Sequence, residues 1–283
     1  MALGGRIEGA PPESGRERTA RPAKGGASAS AARSEPEASE GSPVRGCERR
    51  SIEPELPSGS DKRARVRAMF ERIAPRYDAM NRLLTGGLDQ RWRRAALAAI
   101  AVGPSDRVLD LACGTGDLCE LARRRGARVV GVDFARAMLA GAQRRGVDAA
   151  LVQGDAAGLP LADASVDALT CGFAFRNFVA LGPVLRECAR VLRPAGRLAI
   201  LEVDRPTSAL LRHSHSLYFD RVVPLVGGLL SDRAAYRYLP ASTAYLPEQA
   251  ELFALLAAAG FGALHKRRFA LGAAQLVTAE RRP

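Results

Sequence analysis

The sequence predicts a doubly wound α/β domain: a mostly parallel sheet with helices on both faces and an antiparallel hairpin at its C-terminal end. Three observations carry this expectation. Residues 107–133, RVLDLACGTGDLCELARRRGARVVGVD, run from an apolar strand through a Gly-x-Gly turn and a helix into a second apolar strand that closes on an acid. Beyond them, short apolar runs alternate with helical stripes, the pattern of βαβ units. Ahead of them, residues 1–60 contain no aromatic residue and only five Leu, Ile or Val. Such a segment buries too little surface to offset its ordering entropy, so a disordered tail is expected over 1–60 and a single folded domain over 61–283.

Taken in order, Val66, Met69, Phe70 and Ile73 form a helical stripe that Pro75 interrupts, and Tyr77, Met80 and Leu84 continue it in a second short helix. A helical pair placed before the first core strand can cover the carboxyl ends of the strands, where ligands bind in open α/β sheets. Val108, Leu109 and Leu111 mark the first strand, and further strands are expected near 127–133, 149–154, 167–172 and 197–203. Between the last two, Val184, Leu185, Cys188, Val191 and Leu192 define one buried helix face, which Pro194 and Gly196 should terminate. The stretch 262–280 reads as two strands around Leu271-Gly272. No internal repeat is visible, and no run approaches the roughly 18 apolar residues of a membrane span.

The glycine turn carries the chemistry. Absent side chains at Gly114 and Gly116 let backbone N–H groups approach a ligand closely. Asp133 lies 19 residues beyond Gly114, close to the spacing of about 20 at which an acid meets a ribose in nucleotide-binding α/β folds. A dinucleotide fingerprint would place a third glycine where this chain has Cys119, and Asp117 at the helix start would oppose a diphosphate. Asp110 and Asp117 instead suit a nucleoside without phosphate that carries a cationic end, such as the ammonium and sulfonium of S-adenosylmethionine.

Net charge is +12, and all of the excess falls in 61–283, with 33 basic and 21 acidic residues. A solvated arginine-rich surface, an anionic membrane or a nucleic acid would each fit it. The first ten residues lack the sustained apolar core of a secretory signal, and the acids of the tail argue against a transit peptide. The five cysteines (47, 113, 119, 171 and 188) show no C-x-x-C spacing, so reduced thiols in a cytoplasmic protein are expected and no metal centre. His213 and His215 read as exposed, and His265 sits in a basic run that suits a solvated sheet edge.

The stretch MFERIAPRYDAMNRLLTGGLDQRWRR at 69–94, with DLACGTGD at 110–117, FAFRN at 173–177, VLRPAGRLAILE at 191–202 and AYRYLPAS at 235–242, resembles the ubiquinone/menaquinone biosynthesis C-methyltransferase family. DLACGTGD alone fits many class I methyltransferases; the RYDxMN, RN and YRYL elements are more specific. The similarity covers about residues 65–275. It implies a class I, Rossmann-like fold, S-adenosylmethionine as cofactor, and a prenylated quinol as acceptor, demethylmenaquinol or its ubiquinone-pathway equivalent.

The same resemblance implies residue roles. Gly114, Thr115 and Gly116 form the cofactor turn, Asp110 precedes it, and Asp133 binds both ribose hydroxyls. Asp155 and Ala156, at the end of the third strand, address adenine. Gly172 stands where the family often has Ser. Arg176 is the candidate cation for stabilising a quinol phenolate, Asn177 a hydrogen-bond donor to a quinol oxygen, and Tyr77 a wall for the ring. The segment 217–230, LYFDRVVPLVGGLL, suits a mobile cover over an apolar acceptor channel, and peripheral contact with an anionic membrane on its inner face is expected. Two other readings stay open: a different small-molecule or RNA methyltransferase, and a non-catalytic nucleoside-binding module. Base N-methylation favours an Asn-Pro-Pro-aromatic element where this chain reads Gly172-Phe173-Ala174-Phe175, so nucleic acid is not an expected partner. Oligomeric state is not legible.

Overall fold

The computed structural model describes residues 59–204, 238 and 241–283. The expected tail up to residue 58, the segment 217–230, and His213 and His215 lie outside the described residues. Gly59 and Ser60, placed in the tail by composition, instead open helix α1 (Gly59–Ile73). A 3₁₀ turn at Ala74–Arg76 carries Pro75 at its start, where a missing N–H removes no helical bond, and α2 (Tyr77–Thr85) follows. Helix α3 (Leu88–Ala99) precedes the sheet.

The core alternates β1 (Arg107–Leu111), α4 (Asp117–Arg123), β2 (Arg128–Asp133), α5 (Arg136–Arg144), β3 (Ala150–Gln153) and β4 (Val166–Gly172). Helix α6 (Leu181–Val191), β5 (Leu192–Val203), α7 (Gln249–Ala258), β6 (Phe261–Phe269) and β7 (Ala274–Arg281) complete it. Seven strands form one sheet in the order β3-β2-β1-β4-β5-β7-β6. The first five are parallel, with Leu109 opposite Val130 on one side and Leu169 on the other, while β7 runs antiparallel between β5 and β6. The expected C-terminal hairpin is therefore present, with β6 as the edge. His265, Arg267 and Arg268 are exposed on that edge, as a solvated basic strand requires.

Period-two alternation divides the core between the two faces. Leu109, Leu111 and Leu169 meet Leu185 and Cys188 of α6 and Leu256 of α7 on one face. Val108, Ala168 and Ala199 meet Leu97 of α3 and Leu118 and Ala122 of α4 on the other. Each fully buried leucine among them stabilises the fold by about 2 kcal/mol.

A second boundary differs from expectation. Helix α6 stops at Val191, and Leu192, already extended, begins β5 by pairing with Val166. Pro194 and Gly196 lie within an irregular start to that strand rather than at a helix end. Leu192 remains buried, because its side chain joins the same core from the strand.

Two side chains of α1 fasten it over the sheet. Glu71 accepts the first free N–H groups of α5, from Arg136 at 2.8 Å and Ala137 at 2.9 Å. Lys62, 3 % exposed, donates to the carbonyls of Arg176 at 3.0 Å and Phe178 at 2.7 Å and lies 3.5 Å from the ring centre of Tyr245. Burial lowers its ammonium pKa to about 8. Among the described residues no helix is long and apolar enough to cross a membrane.

Candidate active site

The chain runs from β1 through β2 to β3 on one side of the sheet and then returns to place β4 beside β1 on the other. The direction of winding reverses at that point, which leaves a crevice at the carboxyl ends of β1 and β4. The residues that follow these two strands, Ala112 and Phe173, have φ of 53° and 59°. Left-handed backbone costs a side-chain-bearing residue about 1–2 kcal/mol, and such strain gathers where a site must hold a set shape. Both residues line a cavity of about 390 Å³ that spans the ends of β2, β1 and β4. Gly59, Ser60, Arg63 and Phe70 of α1, with Tyr77, contribute to its wall.

Gly114 and Gly116 take φ of 57° and 88°, which lets the turn after β1 fold back on itself. Gly114 lines the cavity and donates its N–H to Asp133 Oδ2 at 2.8 Å. The other carboxylate oxygen accepts from Ala135 N at 2.8 Å. Each oxygen keeps a free lone pair, so two hydroxyls could still be bound. Burial raises the pKa of Asp133 to about 6, although both N–H donors oppose the rise.

Asp155 and Ala156 also line the cavity. Asp155 accepts from Ala157 N at 3.0 Å and pairs with Arg63 of α1. Arg63 is the one cationic lining residue among those described. With its charge paired, the cavity offers little to a pyrophosphate, whereas Phe134, Met138 and Ala156 give it an apolar side suited to a flat ring.

The remaining turn residues sit elsewhere. Asp110 and Thr115 border a small adjoining recess, with Tyr77 and Gly114 in the partition, and Gly116 lines neither space. A Cβ on Gly116 would lie 2.9 Å from Val147 Cγ2, so this glycine serves close packing. Thr115 Oγ1 donates to Asp78 of α2, which ties the turn to the covering helices.

Asp117 corrects the expectation that it meets a cationic ligand. Burial opposes its ionisation, but Arg82 at 2.8 Å, Arg93 at 3.6 Å and Arg145 at 3.0 Å outweigh burial and hold its carboxyl below the usual range. Its charge is already matched by protein.

Asp110, 1 % exposed, has no ion pair among the described residues. Burial pushes its pKa up to about 7, against hydrogen bonds from Thr170 Oγ1 at 2.8 Å and Cys119 Sγ at 3.4 Å. The folded state therefore holds this proton more tightly than the unfolded state, and the associated stability is lost as pH rises from about 4 through 7. Asp110→Asn is expected to remove that decline and raise stability at pH 8 by about 2 kcal/mol, read as several degrees of melting temperature. An unchanged pH profile of melting would refute it.

Arg176 is likewise relocated. It is 6 % exposed and absent from the cavity lining. Its guanidinium pairs with Glu202 of β5 and donates to Ser242 Oγ and the Phe173 carbonyl, both at 3.0 Å. It braces the loop after β4, and its charge is met by Glu202.

Asn177, next along that loop, does line the cavity. Its Oδ1 accepts from the Tyr238 hydroxyl at 3.2 Å, and its buried Nδ2 has no hydrogen-bond partner among the described residues. An unsatisfied buried amide costs about 1–3 kcal/mol, which a bound acceptor oxygen would recover. Tyr77 lines the same space, and burial raises its phenol pKa. At Gly172 an added Cβ would stand 2.8 Å from Leu118 Cδ1, so any side chain there requires Leu118 to move.

Sequence reasoning passed over Phe134, Arg63 and the apolar pair Phe178 and Val184 in the lining. Phe134 could have been found from its place directly after Asp133. Arg63 carried no signal, because its role depends on the ion pair that folding makes with Asp155, beyond β3.

The model of the ubiE/COQ5 methyltransferase family matches residues 59–280. The demethylmenaquinone methyltransferase of Thermus thermophilus is 47 % identical over 200 residues, covering 68 % of this chain and 91 % of the relative. A ubiquinone/menaquinone biosynthesis C-methyltransferase, UbiE, of Geobacter sulfurreducens is 41 % identical over 233 residues, covering 78 % of this chain and 90 % of the relative. Among solved structures, a SAM-dependent methyltransferase from Thermotoga maritima aligns with a TM-score of 0.54 at 20 % identity, over 76 % of this chain and 99 % of that one, a likeness of fold. With a family match across nearly the whole described domain, and the strand order and Asp133-centred crevice in place, this chain belongs to the ubiE/COQ5 methyltransferase family.

Proposed function

We propose that this methyltransferase uses S-adenosylmethionine to methylate a ring carbon of a prenylated quinol, with demethylmenaquinol favoured over its ubiquinone-pathway counterpart. The names carried by the relatives in Thermus and Geobacter support that acceptor class. The observation that carries the reading is a single cavity lined by both Asp133 and Asn177. Their strands, β2 and β4, are separated by β1 alone, about 10 Å between axes. One end of a nucleoside and an aromatic acceptor can thus be held by two different loops of one crevice.

The residues fit the cofactor. Asp133 offers two acceptor oxygens of the kind a ribose diol needs, and Gly114 allows close backbone approach. The Ala156 backbone, Phe134 and Met138 suit an adenine ring, and Arg63, the one lining cation among the described residues, is paired. When bound, S-adenosylmethionine supplies an electrophilic methyl group on a sulfonium.

The chain's own residues position the acceptor. Asn177 Nδ2 donates to a quinol oxygen, an alcohol resembling phenol with an ordinary pKa of about 10. That donor would stabilise the oxyanion left when the quinol hydroxyl gives up its proton to water; the oxyanion, not the hydrogen bond, makes the ring carbon nucleophilic, and the ring C–H proton is released to water once the methyl group is in place. Tyr77 walls the ring, and Phe178 and Val184 supply apolar surface beside it. Positioning of this kind is worth up to about 7–11 kcal/mol. Arg176 acts through the loop that carries Asn177.

Incubation with labelled S-adenosylmethionine and each demethylated quinol under reducing conditions, followed by mass spectrometry, tests the assignment. Methyl transfer to the naphthoquinol is expected, and transfer to neither quinol overturns the reading. Asn177→Ala should lower kcat about 100-fold while leaving cofactor affinity within a few-fold of wild type. Because such an acceptor resides in lipid and the domain is strongly basic, we read the protein as cytoplasmic and peripheral to an anionic inner leaflet.

A further inference from the structure

We propose that the enzyme rests on an anionic bilayer through one defined rim, formed by the β6–β7 hairpin tip and the α2–α3 turn. The proposal rests on the prenylated-quinol reading and adds the surface that meets the lipid.

The tip is unusual in two independent ways. Leu271 is 77 % exposed, the most exposed large apolar residue of those described. Ala270 and Leu271 also both take left-handed backbone, with φ of 45° and 56°, in a turn that glycine or asparagine would occupy without strain. The fold thus holds an apolar side chain out into solvent at a conformational cost.

Leu83 and Leu88, 56 % and 37 % exposed, flank the Gly86-Gly87 turn between α2 and α3. Trp92, one helical turn beyond Leu88, stacks on Phe269 with centroids 6.3 Å apart and planes at 21°. Through this pair the two exposed apolar elements belong to one surface. Trp92 also lies 6.3 Å from Phe173, a lining residue of the cavity. Val203, at the carboxyl end of β5, pairs with Ala274, so the hairpin tip stands at the same sheet edge as the crevice.

Cations surround the apolar residues. Arg91 is exposed three residues after Leu88, and exposed Arg267 lies 5.0 Å over the Phe269 ring. Neither has an ion-pair partner among the described residues. Exposed leucines among arginines match the headgroup boundary of an anionic membrane, where apolar tips enter the acyl border and guanidinium groups meet phosphates.

Cosedimentation of the full chain with phosphatidylglycerol-rich vesicles, and with phosphatidylcholine vesicles alone, tests the surface. Wild type should prefer the anionic vesicles and release them as salt rises. Leu271→Asp should bind at least about tenfold more weakly, and Arg267→Glu about fivefold or more. Both variants should keep the wild-type melting temperature and turnover on a water-soluble short-chain quinol. Unchanged vesicle binding by Leu271→Asp, or wild-type binding that ignores lipid charge, overturns the proposal. Lost binding by both variants, in a protein that methylates no quinol at all, would uphold this surface and remove the acceptor reading alone.

Discussion

Asp133→Ala is expected to raise the dissociation constant for S-adenosylmethionine at least about 100-fold, the equivalent of two lost hydrogen bonds to a charged acceptor. Each carboxylate oxygen of Asp133 already holds one backbone N–H, from Gly114 and Ala135. The substitution removes the ribose acceptors and also leaves those two donors without their partner, so the turn after β1 loses its anchor. Asp133→Asn should do little better, because its amide NH₂ would face one of the N–H groups in place of an acceptor oxygen.

The same residue fixes a pH dependence. Its pKa of about 6 means that the acceptor-only carboxylate is depleted below pH 6, and affinity in the wild type should fall about tenfold per unit there. Stability moves the opposite way. A carboxyl whose folded pKa is raised binds its proton more tightly when folded, so its contribution to stability is present at acid pH and lost as pH rises through about 6. Calorimetric titration from pH 5 to 8, with melting curves at each pH, separates the two effects. Flat affinity across that range, or Asp133→Ala binding within threefold of wild type, would sink the assignment of Asp133 to the ribose.

Arg176→Met is expected to destabilise the protein by about 3–5 kcal/mol, a drop of roughly 8–15 °C in melting temperature for a domain of this size. The size follows from what is left behind. Glu202, 1 % exposed, would keep a buried charge that, among the described residues, only the N–H groups of residue 176 and Val203 would solvate. Adding Glu202→Gln to the same chain removes that charge and should recover more than half of the loss.

The double variant also separates two roles. If Arg176 acts by bracing the loop, restored stability should bring back most of kcat, with the residual defect in KM for the acceptor. If its charge stabilised a phenolate, kcat would remain low and its pH profile would shift even in the restored fold. The first outcome is expected, because the guanidinium is committed to Glu202, Ser242 and the Phe173 carbonyl.

How much was legible in sequence follows from how local each signal is. The strands around the glycine turn, the turn itself and Asp133 are encoded within 27 consecutive residues, and the structure forms them as read. The antiparallel hairpin at the C-terminus was legible for the same reason. The fates of Asp117 and Arg176 were not. Three arginines, from α2, α3 and the residue after α5, converge on Asp117, and Glu202 reaches Arg176 across 26 residues of chain. A one-dimensional pattern shows a polar residue near a ligand loop but not the opposite charge that folding brings to it. Helix α3 was equally obscure: Asp89 and Arg93 are buried on its inner face as an ion pair with 2.5 Å between them, which masks its apolar period. Pro194 misled for a different reason, since proline is as compatible with an irregular strand start as with a helix end.

The place where Gly59 enters the fold bears on how the protein is handled. Gly59 and Ser60 stand in the cavity wall, so this end of the described chain borders the space a ligand would fill. Strand β7 leads the other terminus away: it starts beside Val203 and finishes beside Arg197, at the far edge of the sheet. Affinity handles, fluorophores and surface-immobilisation linkers therefore belong after Pro283, at the end of the sheet opposite the cavity.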